Sequence, residues 1–88
     1  MSHNDDEKQA SVAKLRASGV LPGQIYKHFK GGVYKIVAVG LNEVDLEPLV
    51  HYRDTADEYG IVWTRYLHMF TGRALDGEIF VTRFVQIS

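Results

Sequence analysis

The stretch IYKHFKGGVYKIVAVGL, Ile25 to Leu41, decides the fold. Ile25 to Phe29 alternates in the manner of a strand, with Tyr26 and His28 on one face and Lys27 and Phe29 on the other. Lys30-Gly31-Gly32 is a turn, because glycines accept positive φ. Val33 to Leu41 is then the longest strand, rich in the β-formers Val33, Tyr34, Ile36, Val37 and Val39.

Outward from this pair, the period of two persists toward the C-terminus. Asn42 to Glu47 is acidic and turn-like, and Pro48 suits a strand edge, where its missing N–H does no harm. Leu49 to Arg53 is a further strand, Asp54 to Gly60 a polar loop, and Ile61 to Arg65 a strand again. Tyr66 to Phe70 is short enough for one helical or 3₁₀ turn. Asp76-Gly77 signals a turn, and Ile79 to Ile87 closes the chain as a last strand.

Toward the N-terminus the period changes to that of a helix, expected from Asp5 to Ser18. Asn4 and Glu7 have capping-box spacing, and Asp5 and Asp6 suit the positive end of the helix dipole. Gly19 fits the residue after the helix, and Pro22-Gly23 forbids continuation. Met1 to His3 is expected to fray. The apolar face is thin, Val12 and Leu15 among alanines, so the helix packs lightly or mediates self-association. The expected architecture is mainly β, a small five-stranded antiparallel barrel or roll with an appended N-terminal α-helix. Residues 1–22 form the helix and connector, and residues 23–88 the β domain.

Composition bounds what such a domain can do. The chain has 88 residues, no Cys, and 10 Lys+Arg against 11 Asp+Glu, a net charge of −1. That excludes a disulfide framework, a thiolate zinc site and a Cys nucleophile. It disfavours strong non-specific binding to duplex nucleic acid. No apolar run is long enough to span a membrane, and none reads as a secretory signal, so a cytoplasmic protein is expected. Monomer and homodimer are both compatible with the sequence.

Three blocks resemble a known small bacterial domain family. They are Tyr26 to Val37, Glu47 to Arg53, and Val62-Trp63-Thr64-Arg65 with Leu67, Met69-Phe70, Asp76-Gly77 and Arg83-Phe84. Together they look like the domain-of-unknown-function family 1653, over about Pro22 to Phe84. The resemblance implies an SH3-like β-barrel and no defined biochemistry. The sequence departs from the family pattern at Tyr66 and His68, where Pro and Glu are expected, and around Asp76-Gly77, which precedes a longer stretch before Arg83.

Candidate chemistry is thin. His28, His51 and His68 lack metal-ligand spacing, so neither a metal nor a cofactor is expected. No nucleophile elbow exists, and Thr64 and Thr82 have no evident base. Glu43, Asp45 and Glu47 alternate along one loop, and Asp54, Asp57 and Glu58 cluster in another; loop carboxylates are normally solvated. Glu47 could pair with Lys35, Arg53 or Arg65.

The richer pattern is aromatic and basic. Tyr26, His28, Tyr52 and Trp63 are interleaved with Lys30, Arg53 and Arg65. An open groove of Tyr26, Tyr52 and Trp63 would stack on bases or receive a peptide. A core role competes with this, favoured for Trp63 and Phe70 and evenly balanced for Tyr26 and Tyr52. The sequence thus points to a non-catalytic module with a protein or peptide partner, contacted through Tyr26, His28, Lys30, Glu47, His51, Tyr52, Trp63 and Arg65. The alternatives are weak single-stranded nucleic-acid binding, and a small-ligand protein or enzyme using His51 with Glu47.

Overall fold

The computed structural model describes residues 5–88. Helix α1 runs Asp5–Ser18, the bounds the sequence predicts. The capping role of Asn4 lies outside the described residues. The helix ends as expected, with Gly19 at a φ of 72°. The Ser18 hydroxyl donates to the Leu15 carbonyl at 2.6 Å and accepts the Val20 N–H at 3.2 Å, which turns the chain inward. Val20 then enters the core, and Leu15 packs against it.

Seven strands follow: β1 Ile25–His28, β2 Val33–Leu41, β3 Pro48–Asp54, β4 Val62–Tyr66, β5 Arg73–Asp76, β6 Ile79–Thr82 and β7 Phe84–Gln86. A one-turn helix, α2 Leu67–Phe70, lies between β4 and β5. Strands β4-β3-β2-β1-β7 form one antiparallel sheet, in that order. The sheet is open, since β4 and β7 are its two ends and no ladder joins them. It is nevertheless curled: the Arg65 guanidinium carbon on β4 lies 6.0 Å from the centre of the Phe84 ring on β7.

A bulge contributes to that curl. Ile36 pairs with Tyr52 and Ala38 with His51, leaving Val37 as an extra residue in β2. Strict alternation would put Ile36 and Val39 on opposite faces. With Val37 inserted, Ile36 is buried and Val39 packs against the same core. A bulge of this kind bends its strand and sharpens the local twist.

The C-terminal third differs from expectation. Ile79 to Ile87 is two strands, β6 and β7, interrupted at Arg83, whose N–H reaches the Gly72 carbonyl at 3.1 Å. The Asp76-Gly77 signal instead closes a separate two-stranded ribbon, β5–β6, with Asp76 opposite Ile79. Gly77 has a φ of 65°, which the first position of a two-residue type II′ hairpin loop requires. The partner strand Arg73-Ala74-Leu75-Asp76 contains no β-branched or aromatic residue, so local preference does not announce it.

The core lies on the concave face: Val20, Tyr26, Ile36, Val50, Tyr52, Leu67, Phe70 and Phe84. Phe70, 1% exposed, stacks on Phe84 with centroids 4.2 Å apart. Its ring also meets Tyr26 at 5.1 Å and Tyr52 at 5.5 Å. No helix among the described residues is long and apolar enough to cross a membrane.

Candidate functional site

The concave face opens at Trp63 on β4, an end strand of the sheet. Antiparallel pairing puts Trp63 opposite Tyr52 and Arg65 opposite Val50, so Trp63 and Arg65 share the face of the core. Tyr52 is 6% exposed and Trp63 is 55% exposed. Phe70 is core as expected, the evenly balanced Tyr26 and Tyr52 are core as well, and Trp63, for which the sequence favours a core role, is not. The open groove of Tyr26, Tyr52 and Trp63 therefore reduces to Trp63 at a rim, with Tyr52 behind it.

Two hollows adjoin Trp63. A groove of about 460 Å³ runs along β4 and is walled by Leu49, Trp63, Tyr66 and Met69. A tighter cleft of about 170 Å³ lies between the sheet ends, lined by His28, Tyr34, Tyr52, Trp63, Arg65 and Phe84. Tyr52, Trp63 and Arg65 belong to both. Arg65 Nε donates to the Tyr52 hydroxyl at 3.2 Å, which orients the guanidinium. Tyr34, Phe84 and Met69 are cleft or groove residues that the sequence reading did not select. The register set by the Lys30-Gly31-Gly32 turn, Tyr26 opposite Tyr34, would have exposed the first of them.

Cations surround His28, and an acid acts on Tyr34, at this cleft. His28 has its imidazole pKa held below the ordinary value, first by burial and then by Arg65, Arg83 and Lys30. Its ring lies 4.9 Å from Phe84, and its Nδ1 accepts the Lys30 backbone N–H at 3.2 Å. Burial raises the Tyr34 hydroxyl, as do Asp54 and Tyr52, while Arg65 opposes them. Burial likewise raises Tyr26, whose hydroxyl donates to Gln24 Oε1 at 3.0 Å. Lys30 itself is exposed in its turn, with Nζ 5.7 Å from the Phe29 ring centre.

The remaining sequence candidates lie elsewhere. His51 pairs across the convex face with Thr64, Nδ1 to Oγ1 at 2.9 Å. Glu47 hydrogen-bonds through its backbone, its N–H to Asp45 Oδ1 and its carbonyl to the Asn42 N–H, both at 2.9 Å. Glu47 lines a different hollow, of about 500 Å³, with Lys14, Leu67 and His68. Glu47 and His51 thus share neither a hydrogen bond nor a cavity, and Glu47 forms no ion pair with Lys35, Arg53 or Arg65. The loop acids shape turns. Asp54 Oδ1 accepts the Ala56 N–H at 2.8 Å, and Asp57 accepts from Tyr59 at 2.9 Å and Ile61 at 3.0 Å. Among the described residues, no three His, Cys, Asp or Glu side chains gather as a metal would need.

Comparison with known proteins agrees with the blocks noted in the sequence. No curated protein and no solved structure matches the chain. One family model does, over residues 24–86, which takes in every strand of both sheets. On that match the chain belongs to the family described as Protein of unknown function (DUF1653).

Proposed function

We propose that this chain is a non-catalytic binding module that receives a protein or peptide partner along the Trp63 groove. The observation that carries the reading is Trp63, the only tryptophan, 55% exposed beside a half-buried Arg65. Tryptophan and arginine are the residue types that most often anchor interfaces. The groove also offers the apolar walls Leu49 and Met69 with the polar groups of Asn42 and Tyr66 at its margin. That mixture suits a peptide, which presents apolar side chains together with backbone donors and acceptors.

The strong curl between β4 and β7 supports an SH3-like roll as the underlying shape, in a cytoplasmic protein. The test is pairwise. Trp63→Ala and Arg65→Ala should each weaken partner binding at least tenfold while the far-ultraviolet circular dichroism stays native. Unfolding of Trp63→Ala would remove Trp63 from the site and the reading with it.

A second reading, weak single-stranded nucleic-acid binding, draws on Lys30, Arg65 and Arg83, which act on His28 in the cleft that Trp63 also lines, since bases stack on indole rings. It predicts amide shifts confined to β1, β2 and β4 when a short single-stranded RNA pool is added.

A further inference from the structure

We infer that the small cleft between Arg65 and Phe84 is a subsite for one carboxylate side chain, Asp or Glu, of the peptide lying along Trp63. This rests on the peptide-binding reading above and specifies its partner. Arg65 is the first reason. Its Nε is committed to the Tyr52 hydroxyl, which fixes the guanidinium plane, and no carboxylate of the described residues pairs with it. A planar guanidinium held in this way presents its terminal N–H groups for a two-point grip on a carboxylate.

Charge is the second reason. Arg65, Arg83 and Lys30 all act on His28 at this cleft. Against them, Asp54 acts on Tyr34, and its Oδ1 is engaged by the Ala56 N–H. The aromatic walls Tyr34, Tyr52 and Phe84 keep the local dielectric low and strengthen the attraction for an anion.

Size is the third. At about 170 Å³ the cleft falls below the ~300–1,000 Å³ of pockets that enclose a drug-sized ligand, and one side-chain head group fits it better. The adjoining groove, walled by Leu49 and Met69, then takes an apolar neighbour of the acid. Nucleic acid matches the charge less well. A phosphate backbone asks for cations spaced along a track, whereas Arg65 is the one Lys or Arg side chain that lines this cleft, on a chain of net charge −1.

The experiment is a display selection with random, acetylated and amidated hexapeptides against the full chain, followed by titration of selected peptides with Trp63 emission as the signal. The expected result is enrichment of an Asp or Glu next to an apolar residue. The Gln or Asn counterpart of a selected peptide should bind at least tenfold more weakly. Arg65→Gln should erase that difference, and Arg65→Lys should restore part of it. Enriched peptides without an acidic position would overturn the carboxylate subsite and leave the peptide reading standing. No enrichment in repeated selections would overturn both. Displacement of the acidic peptide by poly(dT) at a stoichiometric concentration would reassign the cleft to phosphate.

Discussion

Replacement of Phe70 by alanine tests whether the concave core is built as described. Phe70 is 1% exposed and closes the one-turn helix α2 onto the sheet. Its ring stacks on Phe84 at 4.2 Å and touches Tyr26 and Tyr52 at 5.1 and 5.5 Å. Truncating a buried Phe to Ala costs about 3–5 kcal/mol, the higher values where the cavity cannot collapse. Collapse is hindered here, because the three facing rings sit on three different strands of one hydrogen-bonded sheet. A loss of about 4–5 kcal/mol is therefore expected. At ~0.05–0.15 kcal/mol per residue the whole domain has roughly 4–13 kcal/mol of stability. The variant should consequently sit near or beyond the edge of folding at 25 °C. Phe70→Leu keeps much of the apolar contact and should lose about 1–3 kcal/mol, a common range for point changes. The assay is urea unfolding, followed by circular dichroism and by Trp63 emission. With m near ~1 kcal/mol/M, the leucine variant should lower the midpoint by about 1–3 M. A Phe70→Ala midpoint within about 1 M of the parent would refute the argument, since no core ring among three aromatic neighbours is so dispensable.

Four further outcomes follow from the geometry. Trp63→Ala should change unfolding free energy by no more than about 1 kcal/mol, the size of one cross-strand pair, because more than half of that side chain already meets solvent; urea midpoints check this. His28 has a depressed folded pKa, so its neutral form contributes stability in full above the unfolded value of ~6.5, and that contribution declines as pH falls below it. His28→Gln should flatten the fall in urea midpoint between pH 7.5 and pH 5. Tyr66 has its hydroxyl raised chiefly by its 3.1 Å bond to Asp45, so its contribution holds below pH ~10 and fades above it; Asp45→Asn should bring the phenol's absorbance titration back toward that value. Gly77→Ala should destabilise by about 1–2 kcal/mol, the cost of a left-handed backbone for an ordinary residue, since Gly77 has a φ of 65° with open space at the added methyl. Thermal melts that leave Gly77→Ala unchanged would mean that the ribbon turn is free to adopt another form.

Parts of this molecule are legible in its residues, for identifiable reasons. Helix α1 carries its own punctuation, acidic residues at the start and Ser18-Gly19 before a proline, so its limits can be read locally. Strand β2 is announced by its β-branched residues. Strand β5 is not, because its pairing with β6 depends on the turn and on tertiary contacts. Leu46, at a φ of 58°, is equally silent, since a leucine gives no warning of a left-handed backbone. The candidate site divides in the same way. Residue type alone singles out Trp63 and Arg65. Whether a ring is covered depends on strand order and on what packs over the sheet: Phe84 on end strand β7 lies under Phe70, and neither that contact nor the order β4-β3-β2-β1-β7 is written in a single stretch of sequence. Tyr26 and Tyr52 lie on inner strands and are covered; Trp63 lies on an end strand and is not.

Val37 has a consequence disproportionate to its position. It touches neither hollow, yet it is the fulcrum of β2, the middle strand of five. At ~3.3 Å per residue each four-residue arm of β2 is about 13 Å long, so a change of about 10° at the bend moves a strand end by about 2.3 Å. A shift of that size is comparable to a hydrogen-bond length and would open or shut a gap as narrow as the one between Arg65 and Phe84. The width of the cleft is thus expected to respond remotely to the count of residues in a strand. Deleting Val37 would retune what the cleft admits while leaving every side chain that lines it unaltered.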